Sequence, residues 1–128
     1  MDQRFRKHEH LKSRKLIQEL FKHGKPIKAF PLLAVYLPVE DAPAMQVGFS
    51  VSKRKVKLAV NRNTVKRRIK EAYRLHRNEY GLHEKKGMVV MFVYIQNGLS
   101  DYHQIEKSMK KLLPQLAEFN NPVEDNQA

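Results

Sequence analysis

One stretch limits the architecture more than any other: Met88 to Ile95 (MVVMFVYI), an unbroken run of apolar and aromatic residues. It is the most strand-like segment of the chain and predicts a buried central strand. A sheet built round it needs partners. Phe30 to Pro38 is apolar and reads as a strand, Val39 to Ala44 (VEDAPA) as a turn, and Met45 to Ser52 as a second strand with Val47, Phe49 and Val51 on one face. These two lie close enough in sequence to form an antiparallel hairpin.

Three helices are expected around the sheet. Ser13 can cap the first, which sets Leu16, Ile17, Leu20 and Phe21 on one face and ends at Gly24 and Pro26. Asn61 can cap a second, running to about Tyr80 and stopped by Gly81. Ser100 can cap a third, with Tyr102, Ile105, Met109, Leu112 and Leu116 at helical spacing and a kink or break near Leu113 imposed by Pro114. The order α-β-β-α-β-α predicts one small α+β domain over 13–119, a sheet packed with helices. Residues 1–12 read as a mobile basic arm and 120–128 as a disordered polar tail.

Charge narrows the function. The chain carries 25 Lys and Arg against 13 Asp and Glu, a net +12. Between Lys53 and Arg77 stand eleven basic residues and a single acid, Glu71, so this segment holds +10 of that charge. Concentration of this kind marks a nucleic-acid footprint; solubility alone would be served by interspersed charges. On a helical wheel Arg62, Lys66, Lys70, Arg74 and Arg77 share one arc, with Asn63 among them and Arg67 at its edge. Val65, Ile69, Ala72 and His76 form the adjoining arc, and Arg68 lies apart. One face can pack on the sheet while the next meets an anion. Such an arc is self-repulsive until a partner neutralises it. Lys53, Arg54, Lys55 and Lys57 precede the helix and can extend the contact, and a phosphate can sit near the helix start at Asn61–Asn63. Asn63 can either bond RNA or cap the helix.

Other chemistry finds little support. There is no cysteine, which removes disulfides and thiolate metal sites. No apolar run approaches the ~18 residues of a membrane span, and the charged N-terminus lacks a signal core; the expectation is a soluble cytoplasmic protein without a membrane partner. His8 and His10 are spaced for a metal but sit in the arm, and no carboxylates cluster as a two-metal nuclease requires. Ser50 and Ser52 lack a base. No catalytic or metal site is expected in the protein itself. A DNA-binding helix-turn-helix would need a helix just before Asn61, where a strand is expected instead, so DNA is not the expected partner.

Val51-Ser52-Lys53-Arg54, a short basic loop and then AVNRNTVKRRIKEAYR (Ala59 to Arg74) resemble the protein subunit of bacterial ribonuclease P, and Phe21-Lys22-His23-Gly24 resembles that family's end of the first helix. Thr64 stands where the family usually carries the second Arg of Arg-Asn-Arg, and Ile17 where it carries an aromatic. The resemblance implies a fold like the second domain of ribosomal protein S5, with a left-handed β-α-β crossover. It also implies that the catalytic centre is a partner RNA with bound Mg²⁺, and that the protein assists removal of the 5′ leader of precursor tRNA. Lys53, Arg54, Arg62, Asn63, Lys66, Arg67, Lys70 and Arg74 would then hold the catalytic RNA. A cleft between the first helix and the sheet would hold the leader, with Phe21 and Tyr36 as stacking candidates; from the residues alone Phe21 reads slightly better as core. The alternative is a ribosomal-type or RNA-chaperone protein using the same helix without a processing role.

Overall fold

The computed structural model of the chain describes residues 9–40, 42 and 44–119. Along the chain run α1 (Arg14–His23), β1 (Lys25–Ala29), β2 (Leu32–Pro38), β3 (Gln46–Ser50), α2 (Ala59–His76), two short 3₁₀ turns (Arg77–Tyr80 and Leu82–Glu84), β4 (Met88–Tyr94) and α3 (Tyr102–Glu118). The four strands lie in the order β1-β2-β4-β3. As its composition requires, β4 is central and almost wholly buried.

The expected hairpin between the second and third strands does not form. β2 pairs antiparallel with β4 on one side, and β3 pairs parallel with β4 on the other. The apolar run of β4 needs a neighbour on each edge and takes both. The hairpin partner of β2 is instead β1, with Ile27 opposite Ala34. β1 escaped the sequence reading because it is polar: KPIKA has three exposed residues in five. Lys at the edge and a Pro are what an edge strand tolerates, and they also discourage pairing with other chains.

Alternation along the strands divides the core in two. Leu32, Ala34, Tyr36, Val90, Phe92 and Tyr94 face α2 and α3, meeting Val65, Ile69 and Tyr73 from the first helix and Ile105, Met109 and Leu112 from the second. Val35, Val89 and Met91 face the other way, under Leu20 of α1 and Leu11. Fully burying each large apolar side chain here contributes about 1.5–3 kcal/mol.

Two glycines make close approach possible. A Cβ on Gly24 would stand 2.3 Å from the Leu20 carbonyl oxygen and 2.7 Å from Val35 Cγ1, so glycine ends α1 for want of space, since its φ of −69° is open to any residue. A Cβ on Gly48 would lie 2.9 Å from Met91 Cε, so the bare backbone there makes room for the end of the Met91 side chain. The Leu11 N–H donates to the Val47 carbonyl at 3.0 Å, and His10 bridges to Val47 in parallel. Residues 9–11 therefore pack on the sheet and core, where an arm was expected; 1–8 and the tail from 120 lie outside the described residues.

Helix ends follow the sequence only partly. The Ser13 hydroxyl accepts from the Leu16 N–H at 3.3 Å, as its type predicts. α2 begins two residues before the expected cap: Leu58 is extended and N-terminal to the first turn, makes no side-chain cap, and leaves Asn61 inside the helix. The helix tightens to a 3₁₀ turn after His76, and Gly81 stops it with a left-handed φ of 72°. α3 is capped by Asp101, whose carboxylate accepts from the Gln104 N–H at 2.9 Å. Ser100 is buried instead, its hydroxyl 3.0 Å from the Tyr94 phenol. α3 also continues through Pro114 to Glu118. The hydrogen bond that Pro114 cannot give would have gone to the carbonyl of Lys110, an exposed residue of the helix.

α2 and α3 are tied at one end by His76, whose ring nitrogens lie 3.0 Å from Glu79 and 2.7 Å from Glu106. The hydrogen bond from His76 holds the Glu106 carboxyl below the usual carboxylate range. A carboxylate whose pKa is lower folded than unfolded stabilises the fold above its unfolded pKa and loses that contribution as pH falls through the folded one. Glu106→Gln is therefore expected to be about 1 kcal/mol less stable than wild type near pH 6, and the gap should close below about pH 4. Urea unfolding at the two pH values checks it; a gap independent of pH would contradict it.

Candidate nucleic-acid interface

α2 divides its surface between the core and the outside. Val65, Ile69, Ala72 and Tyr73 are buried against the sheet. Asn63, Lys66, Arg67 and Lys70 are exposed, and so are Lys53, Arg54 and Lys57 in the loop that leads into the helix. These six cations and one amide form a continuous sequence-local surface of one sign, able to meet phosphates and 2′-hydroxyls.

Arg62, Arg74 and Arg68 are held by partners within the chain. Arg62 is half-buried, and its Nη1 donates to the carbonyls of Val56 at 3.0 Å and Lys57 at 2.8 Å, so it clamps the loop to the helix. Arg74 grips Glu71 with both faces of its fork, Nε to Oε2 at 3.1 Å and Nη2 to Oε1 at 2.6 Å. This hydrogen bonding pulls the Glu71 carboxyl below its ordinary pKa and pushes the Arg74 guanidinium up. Arg68 donates to the Ser100 carbonyl at 2.7 Å and holds the turn before α3. Thr64, at the position that departs from the family pattern, donates back to the Val60 carbonyl at 3.0 Å.

Arg77 requires a correction. The wheel sets it on the basic arc, yet it is 3% exposed and ion-paired with Glu9. The last turn of α2 is covered by the N-terminal segment, which a wheel cannot know. Its guanidinium also lies 5.8 Å from the centre of the Tyr73 ring, and burial raises the Tyr73 phenol far above its usual pKa.

A second correction concerns the expected cleft. Phe21 and Tyr36 are on opposite faces of the sheet. Val35 lies under α1, and its neighbour Tyr36 therefore points to the α2–α3 side. There it is 6% exposed and stacked on Phe119 at 4.3 Å, and burial raises its phenol pKa. Phe21 is 54% exposed at the margin of the packed stripe of α1. On the α1 side, the sheet offers a row that the sequence reading missed: Lys28, Leu33, Val93 and Ser50 pair in register across all four strands. Leu33 and Val93 are half-buried against the cluster under α1, Ser50 is half-buried and Lys28 is exposed, so the row stays partly accessible to solvent. Strand alternation opposite Phe49 and Phe92 was the signal for it, once the strand order is known.

No group of three or more His, Cys, Asp or Glu among the described residues is placed to hold a metal ion; His8 lies outside them. No described helix is long and apolar enough to cross a membrane.

The family model for ribonuclease P matches residues 5–117. The chain belongs to the ribonuclease P protein family. Similar relatives include the ribonuclease P protein component of Porphyromonas gingivalis, 32% identical over 116 residues and covering 87% of this chain and 85% of the relative. That of Clostridioides difficile is 36% identical over 110 residues, covering 85% and 92%. Among solved structures, the Staphylococcus aureus RNase P protein superposes with a TM-score of 0.71 at 22% identity, over 88% of this chain and 98% of that one. The RNase P protein from Thermotoga maritima does so with 0.68 at 19% identity, over 84% and 96%. At these identities the structural likeness establishes the mixed α+β fold of one four-stranded sheet and three helices.

Proposed function

We propose that this chain is the cytoplasmic protein subunit of a ribonuclease P holoenzyme and assists endonucleolytic removal of the 5′ leader of precursor tRNA. The observation that carries the reading is the family match over residues 5–117, joined to an exposed cationic surface on α2 and its leading loop. The hydrolytic centre belongs to the partner RNA with its Mg²⁺, and the work of this chain is binding and positioning. Lys53, Arg54, Asn63, Lys66, Arg67 and Lys70 contact that RNA directly. Arg62 acts chiefly by holding the loop in place, and Arg74 contributes only as far as its guanidinium, already bonded to Glu71, can also donate to a phosphate. The single-stranded leader lies on the α1 side of the sheet, along the Lys28–Leu33–Val93–Ser50 row with Phe21 at its margin. Apolar and aromatic contact with one cation suits a strand whose base sequence varies.

Binding should be strongly salt-dependent, because each neutralised phosphate releases counterions. Lys70→Ala is expected to weaken affinity for a bacterial ribonuclease P RNA and to lower the magnitude of the log–log salt slope by about 0.7–0.9. Filter binding across a range of KCl concentrations measures both; an unchanged slope would remove Lys70 from the interface.

A further inference from the structure

The loop before α2 and the turn after β4 enclose a groove of about 350 Å³, near the lower end of the size that holds a small organic ligand. Its walls combine three kinds of side chain: the cations Arg54 and Lys57, the amides Asn61 and Asn97, and the apolar Leu58 and Leu99. No acid lines it. The apolar pair is not core: Leu58 is 63% and Leu99 48% exposed. Leu58 also occupies the N-cap of α2, where it makes no capping bond and where Ser or Asn would stabilise the helix by about 1 kcal/mol. A residue that is locally unfavourable in two respects fits a role in binding better than one in folding.

Both walls are held in shape. Arg62 ties the loop through the Val56 and Lys57 carbonyls, and the Ser52 hydroxyl accepts from the Lys55 N–H at 3.2 Å. The Gly98 N–H donates to the Lys55 carbonyl at 2.9 Å, which joins the walls to each other. Gly98 has a left-handed φ of 78°, and its carbonyl accepts from the Tyr94 phenol at 2.7 Å. The Gln96 amide bonds the Leu99 carbonyl at 3.1 Å. Such a groove is ready before its ligand arrives, which lowers the ordering cost of binding.

We propose that this groove takes one unstacked base of the RNA that lies along α2. Leu58 and Leu99 sandwich the ring. Asn61 and Asn97, each with two donors and an acceptor, meet its polar edge. Arg54 and Lys57 hold the flanking phosphates. The inference rests on the α2 surface being the RNA interface.

The test uses the full chain and a bacterial ribonuclease P RNA. Leu58→Ser/Leu99→Ser removes the apolar walls without touching charge; both side chains are exposed and a serine in place of Leu58 adds the cap that α2 lacks, so the melting temperature should hold or rise. Affinity is expected to fall about tenfold, the low end of the cost of losing a base-stacking contact, with the salt slope unchanged. A change within about twofold of wild type would overturn the groove while the Lys70→Ala slope still stood for the α2 surface. A tenfold loss accompanied by a shallower slope would also overturn it, since the groove would then act through phosphates alone. If Lys66→Ala/Arg67→Ala/Lys70→Ala together leave affinity and slope unchanged as well, the interface itself is misplaced and the groove falls with it.

Discussion

Arg77→Ala is expected to cost about 3–5 kcal/mol of folding stability, the usual result of stranding one partner of a buried ion pair. Arg77 is 3% exposed, and the side chain of its partner Glu9 is 11% exposed. The pair joins the N-terminal segment to the end of α2, and removing the guanidinium takes this counter-charge away from a largely buried carboxylate. The same change also takes the cation away from the Tyr73 ring. Replacing both members by apolar residues, as in Arg77→Met with Glu9→Leu, should recover much of the loss, because neither charge is then left buried alone. Urea unfolding of the three variants measures this. A loss below about 1 kcal/mol for Arg77→Ala would return Arg77 to the surface, where an exposed pair contributes that little, and with it to the set of RNA-facing cations.

Arg77 shows what a sequence can and cannot disclose here. The division of α2 into a packed and a cationic face was legible, since Val65, Ile69 and Ala72 repeat at helical spacing among Lys and Arg. A wheel gives the angle about the axis but not what lies over each turn. It could not show that the N-terminal segment covers Arg77, that the turn before α3 occupies Arg68, or that Glu71 takes up Arg74. The central strand was legible from MVVMFVYI, whereas its neighbours were not: register and partner are non-local choices, and a polar edge strand such as KPIKA carries almost no signal. Tyr36 was assigned to the wrong face for the same reason. Its place in the alternation is clear, but which face α1 covers depends on the whole topology. Asn61 and Ser100 are good caps by type and lost to Leu58 and Asp101, which hold the extended backbone at the two helix starts.

If the proposed function holds, the cationic face has a direct consequence for precursor-tRNA cleavage. Bringing a leader and a folded RNA together sets phosphates against phosphates, and divalent cations are the ordinary remedy. In the proposed role, six exposed cations on α2 and its leading loop would supply part of that neutralisation from fixed positions, and their effect would be largest where Mg²⁺ is scarce. Adding this chain to a bacterial ribonuclease P RNA at low Mg²⁺ is expected to raise precursor-tRNA cleavage by roughly tenfold or more, equivalent to about 1.4 kcal/mol of barrier. The gain should shrink as Mg²⁺ is raised. An RNA chaperone without a processing role would speed folding of the RNA yet leave cleavage by prefolded RNA unchanged. The deciding measurement is therefore the cleavage rate of prefolded ribonuclease P RNA at low Mg²⁺ with and without the chain: a clear increase that depends on both components is the predicted result, and an unchanged rate with a cognate RNA would contradict the assignment.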